Sequence, residues 1–328
     1  MQGIYWQPVI DSHGRDGVPL AGGPLRFSCV LKRDRRGRAE ILPASQLPDT
    51  VAEALTAPRP SPSSGPSPHI MGILNVTPDS FSDGGEFLDP AIAKARGAAM
   101  VGEGAAILDI GGESTRPGAD FVAEAAEIAR TEPIITALAD APVPLSIDTR
   151  KAAVADRALA AGATIFNDVT ALSFDDASAG IAARHQAWVV LMHASGDPKT
   201  MQSKTDYDDV VCDVYDYLSA RIDHAIASGI PRGRIIVDPG IGFGKTLAQN
   251  LDLIRNLAVF HGLGCPVLVG ASRKKFIGTI TGTDIAAERM PGSLAIALAA
   301  AAQGAQIIRV HDVSETRAAL DMWRALLG

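Results

Sequence analysis

Eight short apolar segments occur from residue 69 onward, and each is followed by a longer segment with helical periodicity. The apolar segments read IMGILN, AILDIGG, PLSID, TIFND, WVVLMH, RIIVD, PVLVG and IIRVHD. Strands that alternate with helices pair in parallel, because each helix carries the chain back to the starting edge of the sheet. Eight such units in about 260 residues predict an α/β fold of the (β/α)8 TIM-barrel type. An open doubly wound sheet is the alternative, but its first strand normally leads into a GxGxxG turn, where this chain has NVTPDSFSDGG.

A segment rich in Pro, Ser and Gly, residues 57–68, divides the chain into two unequal parts. Its composition is typical of a stiff linker that does not pack. Before it, residues 1–56 form a small N-terminal extension of unknown role, in which FSCVLKRDRRGRAEIL predicts a hairpin with a basic turn. A solvated turn is the favoured interpretation, and a localisation signal or nucleic-acid patch is the alternative. After the linker, residues 69–328 are expected to form the barrel.

Charge and cysteine content exclude several classes of protein. The net charge of −7 argues against general binding of nucleic acids. The three cysteines are far apart and form no CxxC pair, so neither a disulfide framework nor a zinc site is expected. Apolar runs are interrupted before the roughly 18 residues that a membrane span needs, and we expect no signal peptide. We therefore expect a cytoplasmic protein that binds neither membranes nor nucleic acids.

Hydrogen-bonding side chains stand at or beside the ends of nearly all eight predicted strands. The positions are Asn75, Asp109, Asp148, Asn167, Asp168, Met192, His193, Asp238, Ser272, Arg309 and His311. In a barrel of parallel strands these ends converge on one face, where the loops form the active site. An Asp or Asn after a strand is often only a helix cap, which explains one or two of these positions. The carboxylates together suit a flat heterocycle with several N–H groups, while Arg116, Arg309 and His311 suit a phosphate.

Seven longer segments contain all of these positions except Met192 and His193: MGILNVTPDSFSDGG, DIGGESTRPGA, SIDTRK, FNDV, DPGIGFGK, GASRKKFIG and IIRVHDV. They look like the successive motifs of dihydropteroate synthase, in the pterin-binding family, and the resemblance covers residues 69–328 in order. Several motifs of this length are far more specific than a single glycine pattern. The resemblance implies a (β/α)8 barrel, a Mg²⁺ cofactor, and condensation of 6-hydroxymethyl-7,8-dihydropterin diphosphate with 4-aminobenzoate in folate biosynthesis. Sulfonamides mimic the aminobenzoate in this family.

The resemblance also implies roles for individual residues, carried over motif by motif. The pterin would be bound by Asp109, Asp148, Asn167, Met192, Asp238 and Lys274. The diphosphate would be bound by Asn75, Thr115, Arg116, Arg309 and His311. The aminobenzoate would contact Phe81, Pro117, Phe243 and Ser272. Catalysis would depend on Asp83, Thr115, Arg116 and Lys274, and Mg²⁺ would be held by Asn75 and Asp83.

Simpler explanations stay open for three of these residues. Lys274 is alternatively an ordinary surface lysine, and Phe243 and Met192 are alternatively plain core residues.

For the loops after the first two strands we expect lids, with Asp83 moving over the metal ion and Phe81 shielding the reacting carbon from water. Acidic groups near the pterin would stabilise positive charge on its methylene carbon as diphosphate leaves, so no protein nucleophile is needed.

Two positions depart from the commoner family pattern. After VVLMH the chain continues with Ala-Ser-Gly at residues 194–196 rather than Met-Gln-Gly. Lys275 stands where many members have Ser after SRK. The second change would place an ammonium, or the helix N-terminus alone, at the aminobenzoate carboxylate.

Two rival functions are considered for the same residues. A pterin-binding methyltransferase with the same barrel would need no cations for a diphosphate, and a catalytically silent relative would lack the loop residues, so both are disfavoured. The expected partners are the two small-molecule substrates and a second copy of the chain. The homodimer is expected through the helices around residues 288–326, by resemblance and because SLAIALAAAAQG is apolar on more than one face.

Overall fold

The computed structural model describes residues 3–11, 16–76, 89–114, 118–197 and 199–327. Within these ranges the chain forms twelve strands, of which the last eight make one parallel sheet. The strands are β1 (Ile4–Asp11), β2 (Val18–Pro19), β3 (Arg26–Asp34), β4 (Ala39–Pro43), β5 (His69–Asn75), β6 (Ile107–Gly111), β7 (Leu145–Asp148), β8 (Ile165–Asp168), β9 (Trp188–Met192), β10 (Ile235–Asp238), β11 (Leu268–Val269) and β12 (Ile307–Val310).

Each strand of the parallel sheet is followed by a helix. In the described ranges the helices are α1 (Asp49–Thr56), α2 (Pro90–Glu103), α3 (Glu124–Leu138), α4 (Ala152–Ala160), α5 (Ser178–Arg184), α6 (Val210–Ala227), α7 (Leu247–Arg255), α8 (Lys275–Thr281), α9 (Met290–Ala302) and α10 (Val313–Leu327). None of these described helices combines the length and the apolar composition that crossing a membrane requires.

The parallel strands close into a ring. They pair in chain order from β5 to β10, and β12 pairs with both β5 and β11. Between β10 and β11, Val237 and Val267 form a bridge, and the Val237 amide donates to the Pro266 carbonyl over 2.9 Å. The predicted (β/α)8 barrel with a small N-terminal extension is therefore confirmed.

Alternation along the strands explains where the polar side chains lie. The barrel interior is filled by one apolar layer that takes one residue from nearly every strand: Met71, Ile107, Ile165, Val190, Ile236, Leu268 and Ile307. Side chains two residues further along a strand point to the same face, one layer nearer the carboxyl end. Those residues include Asp109, Asn167, Met192, Asp238 and Arg309. The apolar layer is thus the floor of the site, and the predicted site residues lie directly above it.

The N-terminal extension forms an antiparallel sheet in which β3 pairs with β1, β2 and β4. Its own small core includes Leu25, Phe27 and Val30, and α1 packs Leu55 into the same cluster. The extension thus buries a small apolar cluster of its own, while Tyr5 of β1 belongs to the barrel core and Trp323 of α10 packs against both.

The extension docks on α6 through side chains of its basic turn. Arg33 lies 2.9 Å from Asp209, and Arg35 lies 2.6 Å from Asp213 and 2.7 Å from Asp216. The Tyr5 hydroxyl also donates to Asp216 over 2.9 Å. The expectation of a purely solvated turn is therefore wrong for these two arginines, whose charges face the acidic side of α6.

The segment at residues 57–68 contains no helix or strand, as its composition predicts. It nevertheless contacts both parts of the chain at Arg59. The Arg59 amide donates to the Ala21 carbonyl over 3.3 Å, and its guanidinium donates to the His261 carbonyl over 3.0 Å. The prediction that the segment does not pack is wrong at this residue, and the proposed division into extension, linker and barrel stays a prediction.

Candidate active site

Three acidic or amide side chains and one arginine form a cluster above the apolar floor. Arg309 Nε donates to Asp109 Oδ2 over 2.6 Å, and Arg309 Nη2 donates to Asp148 Oδ2 over 2.7 Å. Asn167 Nδ2 donates to Asp109 Oδ2 over 3.2 Å. Asp109, Asp148 and Asn167 come from the adjacent strands β6, β7 and β8, and all three are buried. We call these four residues the carboxylate cluster.

Burial changes the acid strength of this cluster. It raises the pKa of Asp148 to about 7, although the guanidinium of Arg309 opposes the rise. Burial by itself would lower the pKa of Arg309, but Asp109 and Asp148 raise it above its ordinary value. The second oxygen of Asp148, Oδ1, is buried and accepts no hydrogen bond from the described residues. A buried acceptor of this kind favours a ligand that brings an N–H group.

Asp238 and Met192 stand side by side on the opposite wall, at the paired ends of β10 and β9. Both are buried, with 6% and 4% of their surface exposed. Asp238 Oδ1 accepts from the Gly240 amide over 2.7 Å. Burial raises the pKa of Asp238, and Lys274 opposes this.

Lys274 enters the site through a tight turn after β11. Arg273 has φ of 59°; its backbone amide donates a hydrogen bond to Ser293 Oγ over 2.8 Å, and its guanidinium pairs with Asp312. Lys274 Nζ donates to the Ile241 carbonyl and lies 4.2 Å from the ring centroid of Phe243. Burial lowers the pKa of Lys274 to about 7, while Asp238 raises it. Lys274 is therefore not an ordinary surface lysine.

Ser272 and His311 meet at the ends of β11 and β12. Ser272 Oγ lies 3.0 Å from His311 Nδ1, and the His311 amide donates to Ser272 Oγ over 3.2 Å. The structure thus brings a predicted aminobenzoate residue against a predicted diphosphate residue. Asn75 ends β5 on the side of Asp148. A Cβ placed on Gly111 would lie 3.8 Å from Asn75 Oδ1 and 3.8 Å from Asp148 Oδ2.

Five predicted site residues lie outside the described residues. They are Phe81, Asp83, Thr115, Arg116 and Pro117. The roles assigned to them, and the two lids, therefore remain predictions.

Two positions differ from the simplest expectation. Arg309, predicted to bind diphosphate, instead pairs its guanidinium with Asp109 and Asp148, two residues predicted to bind the pterin. Asp168 points away from the cluster and caps a turn, where it accepts from the Thr170 and Leu172 amides over 2.7 and 3.0 Å. This is the strand end that capping explains.

Lys245 is a buried site residue that the strand-end argument missed. Its Nζ contacts His193 Nδ1 over 3.0 Å and the Gly240 carbonyl over 2.9 Å. Burial lowers its pKa to about 7, and it also lowers the pKa of His193 well below the ordinary value. The sequence does contain a feature that could have indicated this role: Lys245 ends the glycine-rich segment DPGIGFGK. Such a segment has many backbone carbonyls that need hydrogen-bond donors, and a lysine can supply them.

A second missed group joins Glu113, just after β6, to the residues before α4. Glu113 lies 3.2 Å from Arg150 and 2.9 Å from Lys151, and its other oxygen accepts from the Val122 amide over 2.9 Å. Lys151 also contacts Glu127 over 2.5 Å, and all four charged side chains are buried. This network ties Glu113 to Val122, the two residues that flank the segment 114–121. Glu113 and Arg150 stand in segments quoted above, but no strand-end rule singles them out.

Comparisons with known proteins agree with this geometry. A family model described as "Pterin binding enzyme" matches residues 71–311. The dihydropteroate synthase of Neisseria meningitidis serogroup B is 50% identical over 264 residues, which is 79% of this chain and 93% of that protein. The solved dihydropteroate synthase of Xanthomonas albilineans with 4-aminobenzoic acid gives a TM-score of 0.74 at 46% identity, over 79% of this chain and 93% of that chain. The structure from the same organism in complex with 7,8-dihydropteroate gives 0.72 at 43% identity, with the same coverage.

The match to the family model begins within β5, includes the other seven strands of the ring, and covers every residue of the carboxylate cluster. It begins after the N-terminal extension, which therefore has to be understood from its own contacts. The chain belongs to the pterin-binding enzyme family, among its dihydropteroate synthases.

Proposed function

We propose that this site joins 6-hydroxymethyl-7,8-dihydropterin diphosphate to 4-aminobenzoate and releases diphosphate, a step of folate biosynthesis. The observation that carries the proposal is the ring of buried acceptors at the strand ends, with Asp148 Oδ1 accepting no hydrogen bond from the described chain. An aminopyrimidine ring supplies several N–H donors in one plane, which matches acceptors that converge from adjacent strands.

The pterin is assigned to the buried end of the site. Asp148 and Asp238 would accept N–H groups from opposite sides of the ring, with Asn167 and Asp109 completing the polar edge. The residues assigned to the pterin are Asp109, Asp148, Asn167, Met192, Asp238 and Lys274. Met192 would lie against the ring face, since it is apolar and buried beside Asp238. Lys274, half-buried near Asp238, would donate to an acceptor of the ring.

The diphosphate and the aminobenzoate are assigned to the outer end of the site. The diphosphate residues are Asn75, Thr115, Arg116, Arg309 and His311, and the aminobenzoate residues are Phe81, Pro117, Phe243 and Ser272. Arg309 would connect the two halves of the site, because its guanidinium already reaches the pterin carboxylates from β12. Pterin binding that engages Asp109 and Asp148 would then free part of this guanidinium for the leaving group.

A Mg²⁺ ion would be held by Asn75 and Asp83. The described half of this pair fits, because Asn75 presents a hard amide oxygen close to the Asp148 carboxylate. No group of three or more His, Cys, Asp or Glu able to hold a metal occurs among the described residues, so the ion would share its coordination with the diphosphate. The bound ion would supply charge neutralisation for the leaving diphosphate.

The reaction breaks the bond between the methylene carbon and the diphosphate oxygen and forms a bond from that carbon to the aminobenzoate nitrogen. The proton released by the amine leaves to solvent. Positive charge that develops on the methylene carbon would be stabilised by Asp109, Asp148 and Asp238, which are buried and already oriented. Thr115, Arg116 and Lys274 would position the reacting groups, and Asp83 would close over the leaving group.

The primary test is incubation of the protein with the pterin diphosphate and 4-aminobenzoate, following dihydropteroate with and without Mg²⁺. We expect product only with both substrates, loss of product in excess chelator, and competition by a sulfonamide.

Asp83→Ala should lower turnover and leave pterin binding intact. Calorimetry of diphosphate binding should show a Mg²⁺ dependence that Asn75→Ala weakens, which gives a readout that is independent of turnover. Undiminished turnover in chelator would remove the metal from the proposal.

The same proposal includes a homodimer and a cytoplasmic location. The helices around 288–326 would form the interface, and Met322 and Leu326 on α10 are 64% and 74% exposed. Exposed apolar side chains on one helix favour contact with another surface. A monomeric mass by light scattering at micromolar concentration would contradict the dimer.

A further inference from the structure

The loop between β10 and α7, residues 239–246, is held by side chains. It forms no helix or strand, and in residues 240–244 the backbone bond to a carbonyl runs from the Phe243 amide to Gly240 over 3.1 Å. Five consecutive carbonyls accept from side-chain donors: Gly240 from Lys245, Ile241 from Lys274, Gly242 from Gln202, Phe243 from Lys245, and Gly244 from Tyr207. The conformation of this loop therefore depends on which donors surround it.

Lys245 is the central donor. Its Nζ lies 2.9 Å from the Gly240 carbonyl, 3.0 Å from the Phe243 carbonyl, and 3.0 and 3.3 Å from the Nδ1 and carbonyl of His193. Only 4% of its surface is exposed. All of these partners are uncharged, because the pKa of His193 is lowered far below neutrality by burial. A buried ammonium without a carboxylate partner is unfavourable unless its donors are well satisfied, and here they are satisfied by the loop.

The loop is pressed closely onto the end of β9. Gly240 has φ of 68°, and a Cβ there would lie 1.9 Å from the His193 carbonyl oxygen. A Cβ on Gly244 would lie 1.7 Å from Ser195 Oγ. Since no side chain fits at either position, the loop has little freedom to shift while the Lys245 contacts persist.

The outer face of the loop carries Phe243. Its ring centroid lies 4.2 Å from Lys274 Nζ, and Lys274 also donates to the neighbouring Ile241 carbonyl. Lys245 thus holds the loop from beneath, and Lys274 contacts it from the site. Both lysines therefore contact the loop that carries Phe243, and Lys274 also contacts the ring itself.

We propose that Lys245 is a positioning residue for the second substrate: by fixing residues 240–243 it places the Phe243 ring as a wall for the arene of 4-aminobenzoate. This inference rests on the proposed function. Of the residues assigned to the pterin, Asp109, Asp148 and Asn167 lie on strands paired on both sides, so they keep their places when the loop moves. Asp238 and Lys274 do contact the loop, at the Gly240 amide and the Ile241 carbonyl, but Asp238 is itself held in the pairing of β10 with β9. Lys245 therefore controls recognition of the aminobenzoate more strongly than recognition of the pterin.

The test compares Lys245→Met with Lys204→Met. The first removes the ammonium and keeps a flexible apolar side chain of similar length. The second makes the same change at an exposed lysine of the adjacent segment and is the matched control. For Lys245→Met we expect the KM for 4-aminobenzoate to rise about tenfold or more, with the pterin Kd from calorimetry changed by less than about threefold. Lys204→Met should behave as the unaltered protein.

The outcomes separate this inference from the function on which it rests. If the unaltered protein forms no dihydropteroate, the proposed function fails. If it forms product but Lys245→Met leaves the KM for 4-aminobenzoate unchanged, or weakens both substrates in parallel, the positioning role is wrong. If Lys245→Met does not fold, as judged by circular dichroism, the double variant Gln202→Leu, Tyr207→Phe decides, since it removes two other donors to the same loop. A selective rise in the same KM supports the positioning of this loop as the determinant, and no rise overturns it.

Discussion

Arg309 at the barrel mouth (the ring of strand ends that holds the carboxylate cluster) and Arg35 in the N-terminal extension make similar ion pairs in opposite surroundings. Arg309 contacts Asp109 and Asp148 over 2.6 and 2.7 Å, with side-chain exposures of 20%, 0% and 9%. Arg35 contacts Asp213 and Asp216 over nearly the same distances, but their exposures are 39%, 26% and 45%. Distance alone therefore does not distinguish the pairs, and burial decides what each contributes.

Water explains the difference. Solvent around Arg35 screens its attraction to α6 and remains available if the pair is broken. At the mouth, removal of one partner leaves a buried charge with no replacement. The mouth is thus a place where charges are costly to disturb and useful for binding, while the extension is attached by contacts that are individually weak.

The largest expected effect is on stability at the mouth. Arg309→Met leaves Asp109 and Asp148 without their shared cation, so the free energy of unfolding in urea should fall by about 3–5 kcal/mol. Arg35→Met, the matched change in the extension, should cost at most about 1 kcal/mol. Equal losses of unfolding free energy in the two variants would contradict the claim that burial decides what each ion pair contributes.

A similar effect is expected on ligand binding. Asp238→Asn replaces a buried acceptor by an amide that can present N–H₂ to an N–H group of the ring. Pterin affinity measured by calorimetry should fall by about 2–5 kcal/mol, the range for a buried charge-assisted pair. Asp216→Asn, on α6, is the control and should leave the affinity unchanged. An affinity for Asp238→Asn within about threefold of the unaltered protein would return Asp238 to the role of a turn cap.

The buried mouth should also have its own pH dependence. Burial raises the pKa of Asp148 to about 7, with Arg309 opposing the rise, against about 3.9 in the unfolded chain. The folded state then holds the proton more tightly, so this group lowers stability as pH rises from about 4 to 7. Asp148→Asn should remove that dependence, by up to about 1.4 kcal/mol per pH unit, in unfolding measured between pH 5 and 7. Parallel pH profiles for the two proteins would show that Asp148 is ionised throughout.

The smallest effect on chemistry is expected from removing the extension. The barrel closes through its own eight strands, so deletion of residues 1–66 should leave turnover within about fivefold, or 1 kcal/mol. The melting temperature should fall, because Tyr5 packs edge-on against Tyr215 with ring centroids 5.3 Å apart and deletion exposes that surface. A soluble, folded truncation with intact pterin binding and more than about tenfold lower turnover would contradict this independence. Asp209 would then be examined first, since Arg33 contacts it at the start of α6.

Much of the barrel and part of the site could be predicted from local pattern. The apolar segments and the spacing between them are properties of consecutive residues, and alternation along a strand places Asp109 two residues above Ile107 without further information. The resemblance supplied the predicted pterin residues for the same reason, since each motif is continuous in the chain. These features depend only on residues that are close together in the chain, so they can be predicted from the sequence alone.

The pairings inside the site were decided only by the tertiary structure. Arg309 and Asp109 are 200 residues apart, Lys245 and His193 are 52 apart, and Arg35 and Asp213 are 178 apart. Which cation meets which carboxylate depends on barrel closure, side-chain length and the space left by glycines such as Gly240. Composition shows that Lys245 exists, but only the closed ring shows that it is surrounded by carbonyls rather than by water. By itself the sequence determined which side chains stand at the strand ends, and folding decided their partners, because electrostatic and hydrogen-bonding energies depend on distance and burial in space.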